Sequence, residues 1–279
     1  MIDRNGEAAL KREDLLGKKG SRTMKLVIKI GTSTLAHAGG RLNIRRVEEL
    51  CKVISDLKNS GIQVIVVSSG AIGMGCGKLS LSKRPDDMAT KQAAAAVGQC
   101  ELMYVYDKLF SEYNHTVAQI LITASDVKHE DRYENFTNTL NRLLELGVIP
   151  VINENDTIAT EEIVIGDNDT LAAIVAVSIK ADLLVLLSDI DGLYSADPHQ
   201  DVNAKLISEV HELDEQIMAS AGGKGSAFGT GGMVTKLTAA RMCMDNGSDM
   251  IIMNGKDPNL LYKIADDEPV GTRFFAKKE

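Results

Sequence analysis

Two lysines set in glycine- and hydroxyl-rich backbone carry most of the chemistry in this sequence. Lys29 stands in Val27-Ile-Lys-Ile-Gly-Thr-Ser33, and Lys236 closes Thr230-Gly-Gly-Met-Val-Thr-Lys236. A phosphoryl group in transfer spreads negative charge over several oxygens. Paired ammonium groups and exposed backbone N–H groups suit that charge. A lysine inside an apolar strand is costly to bury unpaired. It either snorkels from an edge or reaches an anion beyond the strand's carboxyl end. Gly31-Thr32-Ser33 favours the second reading, because it frees amides at the same spot. The loop Phe228–Lys236 is not a P-loop, since its lysine follows Thr235 rather than glycine. Gly73-Met-Gly75-Cys-Gly77 lacks the GxGxxG spacing of a dinucleotide fingerprint, which disfavours an oxidoreductase.

Two polar clusters supply a second kind of chemistry. They are Asn153-Glu-Asn-Asp156 and Gly166-Asp-Asn-Asp169. Asn and Asp also cap helices and build turns, and capping alone would account for Asn168 or Asp169. Two such clusters close together also suit a zwitterion. The Asp156 carboxylate could hold an ammonium group, and asparagine amides a carboxylate.

The elements that must position these residues alternate. Apolar, β-branched runs predict strands at Lys25–Ile30, Gln63–Val67, Thr116–Ile122, Val148–Ile152, Leu183–Leu187 and Asp249–Met253. Helical spacing and caps predict helices from Asn43 to Ser60, Asp87 to Tyr113, Arg132 to Leu146, Asn168 to Ile179, Asp214 to Ala221 and Met233 to Asn246. A glycine-rich turn is expected after the second strand, and a small hairpin at Thr157–Gly166. This alternation implies an α/β fold with a mostly parallel sheet and helices on both faces. Ligands then sit beyond the carboxyl ends of the strands. Lys29, Ser68-Ser69-Gly70, Asn153–Asp156 and Ser188-Asp189 all fall there.

Composition narrows the partners. The chain has 279 residues, 44% of them hydrophobic, and a formal net charge of −8. That balance and the scarcity of aromatic residues argue against nucleic acid as a partner. Cys51, Cys76, Cys100 and Cys243 show no CxxC spacing and read as reduced cytosolic thiols. The histidines form no metal-ligand pair at helical spacing, so no structural metal is expected. Lys180 and Asp182 interrupt the longest apolar run, Leu171 to Leu187, which excludes it as a membrane span. Residues 1–23 read as a polar tail without a signal peptide.

The blocks VIKIGTS, VSSGAIGMG, QAAAAVGQ, VINENDT, GDND, LLSDIDGLYSADP and GTGGMVTK stand in the order and spacing of one known family. From about Met24 to Arg273 the chain resembles the glutamate 5-kinases, of the amino-acid kinase superfamily. The resemblance implies a three-layer αβα sandwich of the carbamate kinase-like type. It implies an acceptor lobe at about 24–165 and a nucleotide lobe at about 166–279. The reaction it implies is ATP plus L-glutamate giving L-glutamyl 5-phosphate and ADP, the entry to proline synthesis, with Mg²⁺. By the same resemblance Lys29 and Lys236 neutralise the transferring group and Asp167 orients them. Ser69, Asp156 and Asn168 match glutamate contacts. Lys29, Ser188, Asp189, Thr230, Gly231, Gly232, Met233, Val234, Thr235 and Lys236 match ATP contacts. A cytoplasmic homo-oligomer, dimer or tetramer, with proline as feedback inhibitor is implied too. Many relatives carry a C-terminal PUA domain, and none is expected in this chain. The alternatives are a related kinase acting on acetylglutamate or aspartate, or a non-catalytic nucleotide-binding protein on this fold. Retention of both lysines and Asp167 speaks against the latter.

Overall fold

The computed structural model describes residues 23–37, 41–159, 168–198, 201–220 and 232–277. The elements follow in chain order. The first half holds β1 (Lys25–Ile30), α1 (Thr32–Leu35), α2 (Ile44–Asn59), β2 (Gln63–Val67), α3 (Ala71–Lys78), α4 (Met88–Ser111), β3 (Val117–Ile122), α5 (Ala124–Lys128), α6 (Glu130–Glu145) and β4 (Ile149–Glu154). The second half holds α7 (Asn168–Ser178), β5 (Leu183–Ser188), β6 (Leu193–Tyr194), β7 (Leu206–Ile207), β8 (Glu209–Val210), α8 (Glu215–Ser220), α9 (Met233–Asp245), β9 (Asp249–Asn254), α10 (Leu260–Ala265) and β10 (Thr272–Phe274).

Among the described residues, eight strands form one sheet in the order β3-β4-β2-β1-β5-β9-β10-β8. Neighbours from β3 to β9 pair in parallel, and β10 runs antiparallel to β9. Strands β6 and β7 pair separately as an antiparallel ribbon. The site-bearing strand β1 lies centrally, with Lys29 opposite Val67 on one side and Leu186 on the other.

Alternation along the central strands feeds two cores. Val27, Ile65, Val67, Leu184 and Leu186 pack with Ala172, Ala176, Leu237 and Ala240 of α7 and α9. Leu26, Ile28, Val64, Val66 and Val185 pack with Leu50, Ile54, Leu102 and Tyr106 of α2 and α4. Side chains two apart share a face of a strand. Lys29 therefore points with Val27 toward the α7/α9 layer. The sheet between two helical layers is the expected α/β sandwich, and near-continuous apolar strands are what burial on both faces demands.

One expectation is corrected. The glycine-rich segment after β2 is a helix, α3, entered through Gly70 at φ 88°. Three glycines in eight residues depress helix propensity, but tertiary packing requires them. A Cβ on Gly75 would lie 1.8 Å from the Ala94 carbonyl oxygen, and one on Gly98 1.8 Å from that of Ala71. Helices α3 and α4 thus cross backbone to backbone. The polar tail, apart from Thr23, lies outside the described residues, as do positions 160–166 of the expected hairpin. So does the lobe boundary near 165. Among the described residues no helix is long and apolar enough to cross a membrane.

Candidate active site

The two lysines arrive from different elements and meet at one carboxylate. Lys29 reaches off β1 to place Nζ 2.6 Å from Asp169 Oδ1. Lys236, in the first turns of α9, donates from Nζ to Asp169 Oδ2 at 2.9 Å. Thr235 donates from Oγ1 to the same oxygen at 3.3 Å and to the Gly232 carbonyl at 2.8 Å. Asp169, the second residue of α7, is fully buried. Burial alone would raise its pKa, but the Lys29 and Lys236 ammonium groups outweigh it and hold the carboxyl below the usual range. Among the described residues two ammonium groups thus converge on one carboxylate at the carboxyl edge of the sheet. Positive charge is what a phosphate tail needs.

The orienting role expected of Asp167 falls outside the described residues. The carboxylate that holds both ammonium groups is Asp169, which the sequence allowed as a helix cap. Spacing could not separate the two aspartates of Asp167-Asn-Asp169.

Beside this clamp lies an amide and hydroxyl cluster. Asn168 opens α7 and donates from Nδ2 toward the Ser68 carbonyl at 2.5 Å, Ser69 Oγ at 3.0 Å and Asn153 Oδ1 at 2.9 Å. Ser69, at the end of β2, and Asn168 are thus brought together as expected of one ligand site. Asn153, at the end of β4, joins them, a residue the sequence marked only as part of its cluster. Asn153 Nδ2 in turn donates to Gln99 Oε1 of α4 at 2.9 Å. Gln99 ends the block QAAAAVGQ, but nothing in that alanine-rich helix assigned it a role. Asp156 lies in the turn after β4. Burial, then the nearby Glu154 carboxylate, push its pKa up to about 6, with Arg84 opposing in part.

On the other side of β1, Ser188 ends β5 and donates from Oγ to Asp189 Oδ1 at 3.1 Å. The Ser188 carbonyl accepts from Gly255 N–H at 2.7 Å, which ties the β5 and β9 ends together. Asn254 Nδ2 donates to Asp191 Oδ1 at 2.6 Å in the same loop region. Ser188 is buried and Asp189 exposed. Gly232, Met233, Val234 and Thr235 lead into Lys236 at the start of α9, with Val234 facing solvent. Thr230 and Gly231 lie outside the described residues.

A family model described as the amino acid kinase family matches residues 24–254. The chain is 50% identical over 258 residues to a glutamate 5-kinase of Clostridium perfringens, covering 91% of this chain and 96% of that protein. It is 52% identical over 259 residues to one of Clostridium acetobutylicum, with 93% and 97% covered. A Listeria monocytogenes glutamate 5-kinase is 50% identical over 272 residues, with 96% and 97% covered. Among solved structures, a carbamate kinase from Giardia lamblia bound to AMP-PNP superposes with TM-score 0.65 at 14% identity, covering 92% and 99%. An isopentenyl phosphate kinase substrate complex superposes with TM-score 0.64 at 20% identity, covering 91% and 100%. Those distant structures share the fold alone, whereas the sequence relatives agree along nearly the whole chain. The chain belongs to the amino acid kinase family and, within it, to the glutamate 5-kinases.

Proposed function

We propose that this chain transfers the γ-phosphoryl group of ATP to the γ-carboxylate of L-glutamate, giving L-glutamyl 5-phosphate and ADP, the first step of proline biosynthesis. Half-identity to glutamate 5-kinases over nearly the full length supports the reaction. The single structural observation that carries the chemistry is the Lys29–Asp169–Lys236 clamp.

The acceptor is already a nucleophile at neutral pH, since a free glutamate side chain has a pKa of about 4.3. No general base is required. One carboxylate oxygen forms a bond to the γ-phosphorus as the bond to the β,γ-bridging oxygen breaks, and ADP leaves with that electron pair. The obstacle is an anion approaching an anion. Lys29 and Lys236 offset the repulsion and stabilise the charge on the transferring group. Asp169 holds the two ammonium groups together and aimed. By the family resemblance Asp167 would share in orienting the two lysines.

The remaining roles are assigned from the family resemblance, and the convergence of Ser69 and Asn168 supports them. Ser69, Asn168 and Asp156 receive glutamate, with the Asp156 carboxylate on its ammonium. Ser188, Asp189 and residues 230–236 receive ATP. By the same resemblance the acceptor and nucleotide lobes would divide near residue 165. Mg²⁺ would travel with the nucleotide and neutralise its phosphates. Among the described residues no group of three or more His, Cys, Asp or Glu side chains forms a metal cage. Phosphate oxygens and water would then supply most of its ligands, as is usual for this ion. From the family resemblance we also propose a cytoplasmic homo-oligomer, dimer or tetramer, inhibited by proline.

The deciding experiment traps the acyl phosphate with hydroxylamine. Glutamate should give the hydroxamate with stoichiometric ADP, and aspartate and acetylglutamate should not. Hydroxamate from either of those instead would assign a different acceptor. ATP binding without ADP release would leave a non-catalytic nucleotide-binding protein.

A further inference from the structure

We propose that Gln99 is a positioning residue for the acceptor: its side-chain carbonyl holds the Asn153 carboxamide, and through it that of Asn168, in the orientation that two backbone groups set. The inference rests on the assignment of that site to glutamate made above.

A carboxamide offers N–H₂ or C=O in nearly the same place, so partners that cannot reverse their roles must set it. Two backbone groups do so. The Ser68 carbonyl only accepts, and Asn168 Nδ2 lies 2.5 Å from it. The Glu154 N–H only donates, and it reaches Asn153 Oδ1 at 2.9 Å. Asn168 Nδ2 donates to that same Asn153 oxygen at 2.9 Å. With its oxygen turned to two donors, Asn153 must present Nδ2 to Gln99, where Oε1 accepts at 2.9 Å. Rotating either asparagine would set like groups face to face at Ser68 or at Glu154. The relay therefore has one self-consistent arrangement, and the Gln99 carbonyl completes it. The Asn168 N–H₂ is then consumed inside the protein. Its Oδ1 is left for the ligand, an acceptor suited to the ammonium of an amino acid rather than to its carboxylate.

Gln99 bears a second sign of this role. It is only 7% exposed, and among the described residues its Nε2 has no hydrogen-bond partner. A buried unpaired donor is unfavourable. Methionine or leucine would fill the space without one. Glutamate would supply the acceptor but add a buried charge. Only glutamine gives Asn153 a neutral carbonyl at this reach. The contact of Gly98 with α3 holds this part of α4 in place, since no side chain fits between them.

The test is steady-state hydroxamate kinetics on the full chain, with thermal unfolding of each variant alongside. Gln99→Met should raise KM for glutamate about tenfold, the worth of roughly one lost hydrogen bond. KM for ATP should stay within about twofold, the pattern of a lost acceptor-binding interaction. Gln99→Glu keeps the acceptor and should restore KM for glutamate to within about threefold of wild type. A wild-type glutamate KM in Gln99→Met, or equal rises in both KM values, would overturn the proposal. Should Gln99→Met not fold, Gln99→Leu takes its place: a glutamate KM about tenfold above wild type with an unchanged KM for ATP supports the relay, and a wild-type value sinks it. If wild type itself yields no hydroxamate from glutamate, the function assigned above has failed instead.

Discussion

Lys29 and Lys236 meet at opposite oxygens of one buried carboxylate, at 2.6 Å and 2.9 Å. One side chain comes from the first strand and the other from a late helix, so the pair exists only in the folded chain. Sharing Asp169 holds two like charges closer than they would otherwise stay. Either lysine alone leaves a phosphate tail half-neutralised. Lys29→Ala and Lys236→Ala should each lower kcat by roughly 10²–10³-fold, the usual loss on deleting one charge-stabilising group. The double variant should lose little more than the worse single one, because the two act as a unit. Hydroxamate formation at saturating glutamate and ATP measures all three. Near-normal turnover in either single variant would remove the clamp from the mechanism.

Asp169→Asn isolates the anion from the cations. The neutral amide fits the same space but removes the charge that both mostly buried ammonium groups share. Breaking a buried ion pair from one side typically costs about 3–5 kcal/mol. Denaturant unfolding should show a loss of that order, together with a collapse of kcat. The native carboxyl ionises more readily than the unfolded one. Its stabilising contribution is therefore present at neutral pH and disappears as acid protonates the folded group. The wild-type and Asn variants should accordingly converge in stability at low pH.

The sheet was legible because its strands are short β-branched runs bounded by glycine or serine, such as Gln63–Val67 before Ser68. Lys29 was legible because a charge among Val27, Ile28 and Ile30 needs a reason. What the sequence hid depends on close approach between distant segments. Helix α3 looks like a turn until Gly75 and Gly98 are seen filling one crossing. Asp169 looks like a cap until both lysines are seen on it. Gln99 looks like any polar residue in a helix until its carbonyl is seen on Asn153. Each of these signals lies in a pair, and neither member reveals it alone.

The α3/α4 crossing gives a prediction about rigidity. A methyl at position 98 would come within 1.8 Å of the Ala71 carbonyl and 2.5 Å of the Gly75 nitrogen. These are backbone atoms, so a helix must move. Overpacking of this kind costs about 1–3 kcal/mol or more. Ser69-Gly70 leads directly into α3, and Gln99 follows Gly98 on α4, so the movement reaches the acceptor site. Gly98→Ala should lower the urea midpoint and raise KM for glutamate more than KM for ATP. An unchanged midpoint would mean that the helices slide apart at no cost, contrary to their fit here.

Asp156 couples stability to acceptor binding through its proton. Burial and Glu154 raise its pKa from 3.8 to about 6. The folded carboxyl thus holds a proton that the unfolded one has lost. The stability this provides is complete below pH ~4 and vanishes as pH rises through about 6. At pH 7 the ionised group burdens the fold by up to about 3 kcal/mol, because each tenfold change in proton affinity is worth about 1.4 kcal/mol. Asp156→Asn never ionises. It should be more stable than wild type at pH 7 and lose that advantage near pH 4, as thermal melts at the two pH values would show. The same substitution should raise KM for glutamate far more than for ATP, because the charge that unsettles the fold is the one we assign to the substrate's ammonium. In wild type, kcat/KM for glutamate should fall by about tenfold per pH unit below pH ~6, since that ratio reports groups on the free enzyme. The Asn variant should show no such fall. If its profile kept the wild-type shape, the titrating group would be another residue, and glutamate's ammonium would have to bind elsewhere.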